Sequence, residues 1–314
     1  KLFYPKSFSE IQKVSTAFKE EFQSPIKIEE IIRNKLIEFK AGYTVYRTLL
    51  KILKPKVLLC VVSYNREALI QAAKDLGIKT AEIQHGTLNQ FHFGYSYPEN
   101  FHQKKYFPDY FFSFGPHWSE GTKLPLPKSK IMNTGFPEFE NEANDYKGLE
   151  REEGEILFIS QGSVGIELSK FAAKLSKALK ESSRSERVRY RLHPGEVTDW
   201  KVRYPWLNES ENIEIVTGLK EPLYASFAKA QHLVGVYSTA MYEGIGFGLN
   251  SYIYQMNGAE RMEMLVDLGL AKKAISPEDI LKSFEQKEAL KDHSEALFSR
   301  QSKVVFDQAI TAIF

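Results

Sequence analysis

The 314-residue sequence has few of the features that mark disulfide-rich, zinc-binding or membrane proteins. Its single cysteine, Cys60, lies in the apolar run VLLCVV, so we expect a buried and inert thiol. One cysteine excludes an internal disulfide framework and a cysteine-rich zinc site, which fits a reducing, cytoplasmic location. No apolar run approaches the roughly 20 residues that span a bilayer, and no signal peptide is visible. The sequence starts at Lys1 without a Met, which is compatible with a first domain shortened at its amino end.

An excess of either charge is also missing. Lys and Arg number 42 against 40 Asp and Glu, which leaves a net charge of +2. This balance gives no electrostatic footprint for nucleic acid, so no nucleic-acid partner is expected. An anionic ligand must therefore be held by a few well-placed groups.

Three signatures of phosphate chemistry are missing as well. The sequence contains no Walker pattern and no Gly-x-Gly-x-x-Gly after the first predicted strand, which argues against an ATPase and a dinucleotide oxidoreductase. It contains no Asp-x-Asp at a strand end that would hold a divalent cation on a diphosphate. We therefore expect protein groups to neutralise any substrate phosphate, without a metal or a cofactor.

Apolar strand patterns alternate with helical patterns along most of the chain, which predicts parallel α/β sheets covered on both faces. The alternation is interrupted by EFENEANDYKGLEREEGE, which carries eight acidic and two basic residues and no apolar periodicity. We expect two Rossmann-like domains, residues 1–137 and residues 155–314 with the C-terminal helices, joined by an exposed linker at 138–154. A ligand would then bind where the carboxyl ends of the strands face the cleft between the domains.

The first motif that can carry chemistry is IQHG, at the end of the second predicted strand. Gly86 permits a tight turn after His85, and an imidazole is a suitable general base at neutral pH. The aromatic loop that follows can stack on sugar rings through Phe91, Phe93, Tyr95 and Tyr97, whereas His92 is expected to be an ordinary loop residue. The predicted acceptor-binding residues are Gly86, Thr87, Phe91, Tyr95 and Tyr97. The alternative is that His85 only caps the turn.

Two further motifs follow strands of the second half. In YRLHPGE, Pro194 ends the strand, and an imidazolium with nearby backbone N–H groups suits a phosphate. In GVYSTAMYEG, Ser238 and Thr239 stand at the start of a helix, where they either cap it or bind a phosphate with the helix dipole. SQGSVG is a weaker fourth element. The predicted donor-binding residues are Gln161, Gly162, Ser163, Arg191, His193, Pro194, Glu196, Ser238, Thr239 and Glu243.

Taken together, these motifs resemble bacterial glycosyltransferases of the GT-B fold that build capsule and lipopolysaccharide. His193 with Pro194, and Ser238 with Thr239, are similar to the pairs that hold cytidine monophosphate in sialyltransferases and Kdo transferases. His85, Gly86 and Thr87 resemble a segment of teichoic-acid polyol-phosphate transferases. The sialyltransferases place an acidic pair before a Gly as the base in the first domain, whereas here the only such run, Glu152 to Gly154, lies in the linker.

The resemblance implies an enzyme that moves a sugar from a nucleotide, most simply a CMP-linked sialic acid or Kdo, to a bacterial glycan or lipid-linked glycan. His85 would take the proton of the acceptor hydroxyl, and the donor residues would stabilise the departing phosphate. Inversion is expected, although retaining members of this fold exist. A UDP- or GDP-sugar donor, a CDP-glycerol or CDP-ribitol transferase, and a noncatalytic nucleotide- or glycan-binding module remain open. The basic, aromatic first 50 residues would suit peripheral contact with the inner face of the cytoplasmic membrane.

Overall fold

A computed structural model describes residues 9–98, 104–146, 148–210, 212–285 and 294–314. Two long helices come first, α1 (Ser9–Phe22) and α2 (Ile28–Leu53). The second packs on α3 (Glu67–Lys74), where its buried Leu50 meets Ala72 and Ala73. In the described part of the chain, no helix is both long enough and apolar enough to cross a membrane.

The first sheet has four parallel strands that follow one another in space as they do in sequence. These strands are β1 (Val57–Cys60), β2 (Lys79–Ile83), β3 (Tyr110–Ser113) and β4 (Ile131–Asn133). The helices of this half after α3 are α4 (Pro116–Glu120) and α5 (Pro137–Asp145). All four strands end at the same edge, so the loop after β2 that carries His85 lies beside the turn after β3.

The second sheet has six parallel strands. They are β5 (Glu155–Ile159), β6 (Arg187–Arg191), β7 (Ile213–Val216), β8 (His232–Gly235), β9 (Asn250–Tyr254) and β10 (Ala271–Ala274). Their spatial order is β10-β9-β8-β5-β6-β7, in which the direction of progression reverses between β5 and β8. This is the Rossmann order, and ligands of such sheets bind at the carboxyl ends of the two strands that flank the reversal.

Helices connect these strands and complete the chain. They are α6 (Gly165–Glu181), α7 (Trp200–Arg203), α8 (Pro205–Asn208), α9 (Leu223–Lys229), α10 (Thr239–Gly246), α11 (Glu263–Asp267), α12 (Pro277–Glu285), α13 (Ser294–Leu297) and α14 (Ser302–Ile313).

The last helix, α14, packs against the first sheet. Its Ala309 and Ile313 are buried with Ala81 and Phe112 of that sheet, and Phe306 meets the ring of Phe112 edge-on at 5.5 Å. The helix therefore packs on the first sheet although it follows the second in sequence, and the chain passes between the two halves twice.

The predicted α/β fold with two parallel sheets is confirmed, and two features of the predicted organisation look different in the structure. Helix α5 occupies the first half of the expected linker at 138–154 and buries Phe139. Helix α14, which we expected within the second unit, belongs to the first sheet by its contacts. An apolar stripe shows which residues a helix buries but not which sheet receives them.

A cluster of aromatic rings joins the two halves. Trp118 of α4 is fully buried, lies 4.4 Å from the ring of Tyr242 of α10, and donates its indole N–H to the carbonyl of Leu297 at 2.7 Å. Phe139 stacks on Phe298 at 4.4 Å. The hydrophobic core is consequently continuous across the joint.

Candidate functional site

The His-Gly-Thr segment of the first half and the Ser-Thr pair of the second meet across the cleft. A methyl group placed on Gly86 would lie 3.5 Å from Oγ1 of Thr239. Both residues follow strand carboxyl ends, β2 and β8. The structure thus brings together two motifs that are about 150 residues apart in sequence, at the place where α/β sheets bind ligands.

Gln84 fixes the loop that carries His85. Its side chain is buried, donates to the carbonyl of Gly86 at 2.8 Å, and accepts from the N–H of Phe114 at 2.8 Å and from the hydroxyl of Ser113. The loop after β2 is therefore tied to the turn after β3. Sequence reasoning did not select Gln84, because an amide at a strand end is common and its partners lie 30 residues away.

A chain of hydrogen bonds leads from a buried carboxyl group to His85. Tyr95 donates its hydroxyl proton to Oε1 of Glu82, which also accepts the N–H of Ser63 at 3.1 Å. The hydroxyl oxygen of Tyr95 lies 3.3 Å from Nδ1 of His85. Since the proton of Tyr95 points to Glu82, the oxygen is left to accept from Nδ1–H, and Nε2 of His85 keeps a free lone pair.

The surrounding protein shifts the pKa values of His85 and Glu82, the two ends of this series of hydrogen bonds. Partial burial, with a smaller contribution from His92, lowers the pKa of His85 below its ordinary value of 6.5. Burial raises the pKa of the Glu82 carboxyl group, although bonds from Ser63 and Tyr95 oppose the shift. A neutral imidazole at physiological pH, oriented by a buried hydroxyl, is suited to accept a proton from an alcohol.

The aromatic loop has a different arrangement from the one we predicted. Tyr95 is fully buried, so its ring is not available to stack on a sugar, and its hydroxyl serves His85 instead. His92 is also more than a loop residue, because its Nδ1 accepts from the N–H of Gly94 and its ring lies 4.7 Å from that of Tyr95.

Other predicted acceptor residues are accessible. The side chain of Phe93 is 96% exposed and that of Phe91 is 45% exposed. Thr87 and Tyr97 are half-buried, and Lys104 donates to the hydroxyl of Tyr97 at 2.8 Å. These four side chains surround the opening of the loop, where their contact with an acceptor stays a prediction.

Predicted donor residues after β5 lie at the strand reversal. Gln161 is half-buried and its side-chain oxygen has no partner within the described part of the chain, whereas Gly162 and Ser163 are exposed. The hydroxyl of Ser163 lies 2.8 Å from that of Tyr237, which follows β8. The two loops that flank the reversal are therefore bridged.

The His-Pro turn is held from below by a buried carboxylate. Glu196 is fully buried and accepts from the N–H of His193 at 2.8 Å, from the hydroxyl of Ser160 at 3.0 Å and from the hydroxyl of Tyr204. We predicted that Glu196 binds the donor, but both of its oxygens are occupied. Its role is to position the turn.

His193 itself is exposed, and its Nδ1 accepts from the N–H of Gly195 at 3.2 Å. Nδ1 therefore carries no proton in this arrangement, and Nε2–H is the group that can donate to a ligand. We expected this imidazole to bind a phosphate of the donor, and that contact stays a prediction. Pro194 is exposed beside it and starts the turn.

Two further donor predictions have other partners. Nη1 of Arg191 donates to the carbonyl of Glu221 at 2.9 Å and to the hydroxyl of Ser226 at 3.0 Å. The carboxyl group of Glu243 is buried, which raises its pKa, and it is hydrogen-bonded to Tyr224. These contacts support the framework of the second half, and donor binding by Arg191 and Glu243 stays a prediction.

Ser238 caps helix α10, since its hydroxyl accepts from the N–H of Ala240 at 3.2 Å. Capping was the simpler of the two interpretations from sequence, and it leaves the hydroxyl proton of Ser238 and the half-buried Thr239 facing the cleft region near Gly86. Helix N-termini of this kind favour anions through their dipole and free N–H groups.

The acidic run from Glu152 to Gly154 immediately precedes β5, at the amino end of the sheet. It lies at the end opposite the candidate site, so it cannot supply the base. Within residues 9–98, 104–146, 148–210, 212–285 and 294–314, no group of three or more His, Cys, Asp or Glu side chains could hold a metal ion. Metal independence stays a prediction.

Two arginines at the rim of the site were not predicted. Arg203 of α7 donates to the carbonyl of Gly162 at 3.3 Å, and the guanidinium of Arg261 lies 4.9 Å from the centre of the Tyr237 ring. Neither belongs to a short motif, because each follows a strand by a different number of residues. Only the folded loops bring them to the same rim.

Comparison with solved structures establishes the fold as GT-B. The UDP-GlcNAc 2-epimerase of Methanocaldococcus jannaschii aligns over 96% of this chain and 90% of its own, with a TM-score of 0.60 and 14% identity. The glycotransferase of kitacinnamycin covers 96% and 88%, with a TM-score of 0.54 and 14% identity. MurG of Acinetobacter baumannii covers 88% and 79%, with a TM-score of 0.50 and 15% identity.

No family model matches the chain, and a search of curated proteins finds no match either. At such low identities the structural likeness concerns the fold alone.

Proposed function

We propose that the protein is a glycosyltransferase that uses a pyrimidine-nucleotide sugar as donor. The proposal depends above all on one observation: a methyl group placed on Gly86 would lie 3.5 Å from Oγ1 of Thr239. This proximity supports a site in which a base from the first half would act on a donor whose phosphate is bound by the second.

The donor side is supplied by the second half. The amino end of α10 with Ser238 and Thr239, and Nε2–H of His193, would stabilise the phosphate as it leaves. Glu196 would keep the His-Pro turn in place from its buried position. No metal is needed in this scheme, because the phosphate is neutralised by N–H and hydroxyl donors.

The base is supplied by the first half. Nε2 of His85 would accept the proton of the acceptor hydroxyl while that oxygen attacks the anomeric carbon, and the bond from the anomeric carbon to the phosphate oxygen breaks. Tyr95 is a positioning residue, since it holds Nδ1–H and so presents Nε2. Attack from the face opposite the leaving phosphate would invert the anomeric centre.

Two considerations support a pyrimidine as the base of the donor nucleotide. The His-Pro and Ser-Thr pairs resemble those of CMP-sialic acid and CMP-Kdo transferases, which favours cytidine. The solved structures of the same fold include UDP-GlcNAc 2-epimerases, among them one from Neisseria meningitidis bound to UDP-GlcNAc, which favours uridine. A CDP-linked polyol donor remains the nearest alternative with a cytidine base.

The acceptor would be a bacterial surface glycan or a lipid-linked glycan. Exposed Val45, Leu49 and Ile52 form one stripe of α2, and Lys51 and Lys54 lie in the same stretch of chain. An apolar stripe beside lysines supports the peripheral membrane contact expected from the first 50 residues.

Nucleotide binding is the first expected result. In a thermal-shift screen with CMP, CDP, UMP, UDP, GMP and GDP, the pyrimidine nucleotides should raise the melting temperature, because a ligand of the folded state alone stabilises it. Guanine nucleotides serve as the matched control. Equal shifts for all six, or no shift, would contradict the proposed donor class.

A second candidate is a nucleotide-sugar 2-epimerase, which the structural neighbours favour. Incubating the protein with UDP-GlcNAc alone, and following the sugar by NMR, separates the two because an epimerase needs no acceptor. Supplying CMP-sialic acid, CMP-Kdo and CDP-glycerol with an acceptor extract, and measuring released CMP, separates sugar transfer from polyol-phosphate transfer. Binding without turnover in any of these would indicate a noncatalytic module.

Replacing Tyr95 with phenylalanine should lower turnover on the identified donor about tenfold, because His85 loses the acceptor that fixes its tautomer. Loss of that acceptor also destabilises the imidazolium, so the pKa of His85 falls and the acid limb of kcat/KM moves to lower pH. The measurement is a pH–rate profile.

Tyr64→Phe is the matched control for this variant. The ring of Tyr64 lies 5.4 Å from that of Tyr95, but its hydroxyl has no hydrogen bond to a described residue. Its profile should match wild type. An unchanged profile and turnover in Tyr95→Phe would contradict the positioning role, whatever the change in stability.

A further inference from the structure

Arg261 lies next to the loops that flank the strand reversal. It follows β9 in a short 3₁₀ turn, and its guanidinium stacks on Tyr237, whose hydroxyl meets that of Ser163. Ser163 follows β5 and Tyr237 follows β8, so the cation contacts one of the two loops at the reversal and is linked through it to the other. Its side chain is exposed, and it forms no ion pair with any residue that the structure describes.

Arg203 contacts the same loop. It donates to the carbonyl of Gly162, and its guanidinium lies 5.3 Å from the centre of the Tyr204 ring. Its carboxylate neighbour Asp199 is 3.9 Å away with more than half of its side chain exposed, which makes a weak pair. The loop at Gly162 and Ser163 is therefore bonded directly to one guanidinium and linked to the other through Tyr237.

Arg187 and Arg189 of strand β6 differ from Arg203 and Arg261 in their partners. Arg189 is buried and bonded to the carboxylates of Glu155 and Glu221, and Arg187 is bonded to Glu152. Those arginines already have anionic partners at close range. Arg203 and Arg261 instead have carbonyl and aromatic partners, which leave most of each positive charge uncompensated.

We propose that Arg203 and Arg261 form an anion subsite beside the Gly162–Ser163 loop. It would bind a second negative group of the donor, beyond the phosphate held at α10. This inference rests on the proposed function, because it presumes that a nucleotide occupies the strand reversal. It adds a substrate class to that function, namely donors with two anionic groups.

Two chemical sources fit such a subsite. One is the second phosphate of a nucleoside diphosphate sugar, and the other is the carboxylate of a CMP-linked acidic sugar. Each presents two negatively charged oxygens that a guanidinium can bind through two N–H donors. Neutral monophosphate sugars would lack the second group and so bind more weakly.

The test is calorimetric titration of the full chain with UMP, UDP, CMP, CDP and CMP-sialic acid. UDP and CDP carry a second phosphate, and CMP-sialic acid carries a carboxylate. For wild type, the compounds whose second anion fits the subsite should bind at least about tenfold more tightly than UMP or CMP, the monophosphate with the same base. Arg261→Ala and Arg203→Ala should each remove most of that difference and leave the monophosphate dissociation constant nearly unchanged. Arg261→Lys should keep part of it, because the charge remains without the planar fork.

Arg187→Ala is the matched control, since it removes the same charge from the amino end of the same sheet. A preference for UDP over UMP assigns the subsite to a second phosphate, whereas a preference for CMP-sialic acid over CMP, without one for CDP, assigns it to a carboxylate. If the preference survives in both alanine variants, or if wild type has none, the subsite is overturned while nucleotide binding stands. If no nucleotide binds to wild type, the proposed function itself fails, and the subsite with it.

Discussion

Replacing His85 with alanine is expected to lower turnover by about 100-fold or more, while the dissociation constant of the nucleotide changes little. The imidazole contributes a proton acceptor that acts only as the acceptor hydroxyl attacks, so its loss raises the barrier without removing donor contacts. Those contacts belong to the second half, where His193 and Thr239 lie. Turnover is measured under saturating donor at about pH 7.5, above the ordinary pKa of histidine.

Two variants sharpen this experiment. His85→Asn keeps an N–H that can donate to Tyr95 but provides no base, so it should be as inactive as the alanine variant. His92→Asn is the matched control, because an amide oxygen can still accept from Gly94 N–H, and it should keep turnover within about threefold of wild type. Full activity in His85→Asn would show that the residue serves the turn and that the base lies elsewhere.

Replacing Glu196 with alanine is expected to lower the free energy of unfolding by about 3 kcal/mol or more, and to weaken nucleotide binding at the same time. The carboxylate is fully buried, forms no ion pair with a described residue, and accepts from three donors that would lose their acceptor together. The His-Pro turn would then lose the bond that fixes the backbone of His193. Denaturant unfolding gives the first quantity and calorimetry gives the second.

Glu214→Ala is the matched control for that variant, since it removes a carboxylate from the same sheet whose side chain is 64% exposed. It should change the free energy of unfolding by less than about 1 kcal/mol and leave nucleotide affinity unchanged. Glu196→Gln should be intermediate, because the amide keeps one acceptor oxygen. A Glu196→Ala protein with wild-type stability would contradict the structural role of the buried carboxylate. Wild-type nucleotide affinity with reduced stability would show that the turn does not contact the donor.

Strand ends were the part of the site that sequence could predict. Apolar runs such as VLLCVV and HLVGVY indicate buried strands, and a parallel sheet places all carboxyl ends on one edge. His85, His193 and Thr239 could therefore be placed in a common cleft. Strand β10 was missed because two of its four residues are lysines, which hide the apolar signal.

Side-chain roles that depend on distant partners could not be predicted. An aromatic residue in a turn-rich loop looks exposed, and only the fold shows that the hydroxyl of Tyr95 reaches back to Glu82. Glu196 looked like a ligand contact because it follows a His-Pro turn. The three groups that donate to its carboxylate oxygens come from three separate segments, at Ser160, His193 and Tyr204. Arg203 and Arg261 carry no motif, and their shared rim exists only once β6, β5, β8 and β9 are side by side.

The return of α14 to the first sheet has a mechanical consequence. The carboxylate of Glu140 in the first crossing accepts from the backbone N–H groups of Gln301 and Ser302 in the second, at 3.0 and 2.7 Å, so the two crossings are stapled to each other. Two connecting segments that are hydrogen-bonded to each other can bend together but resist twisting. Any relative motion of the halves is therefore expected to be opening and closing of the cleft. It also means that a protease cut near Glu150 would leave both fragments bound together, and the nicked protein should elute from a sizing column as one species.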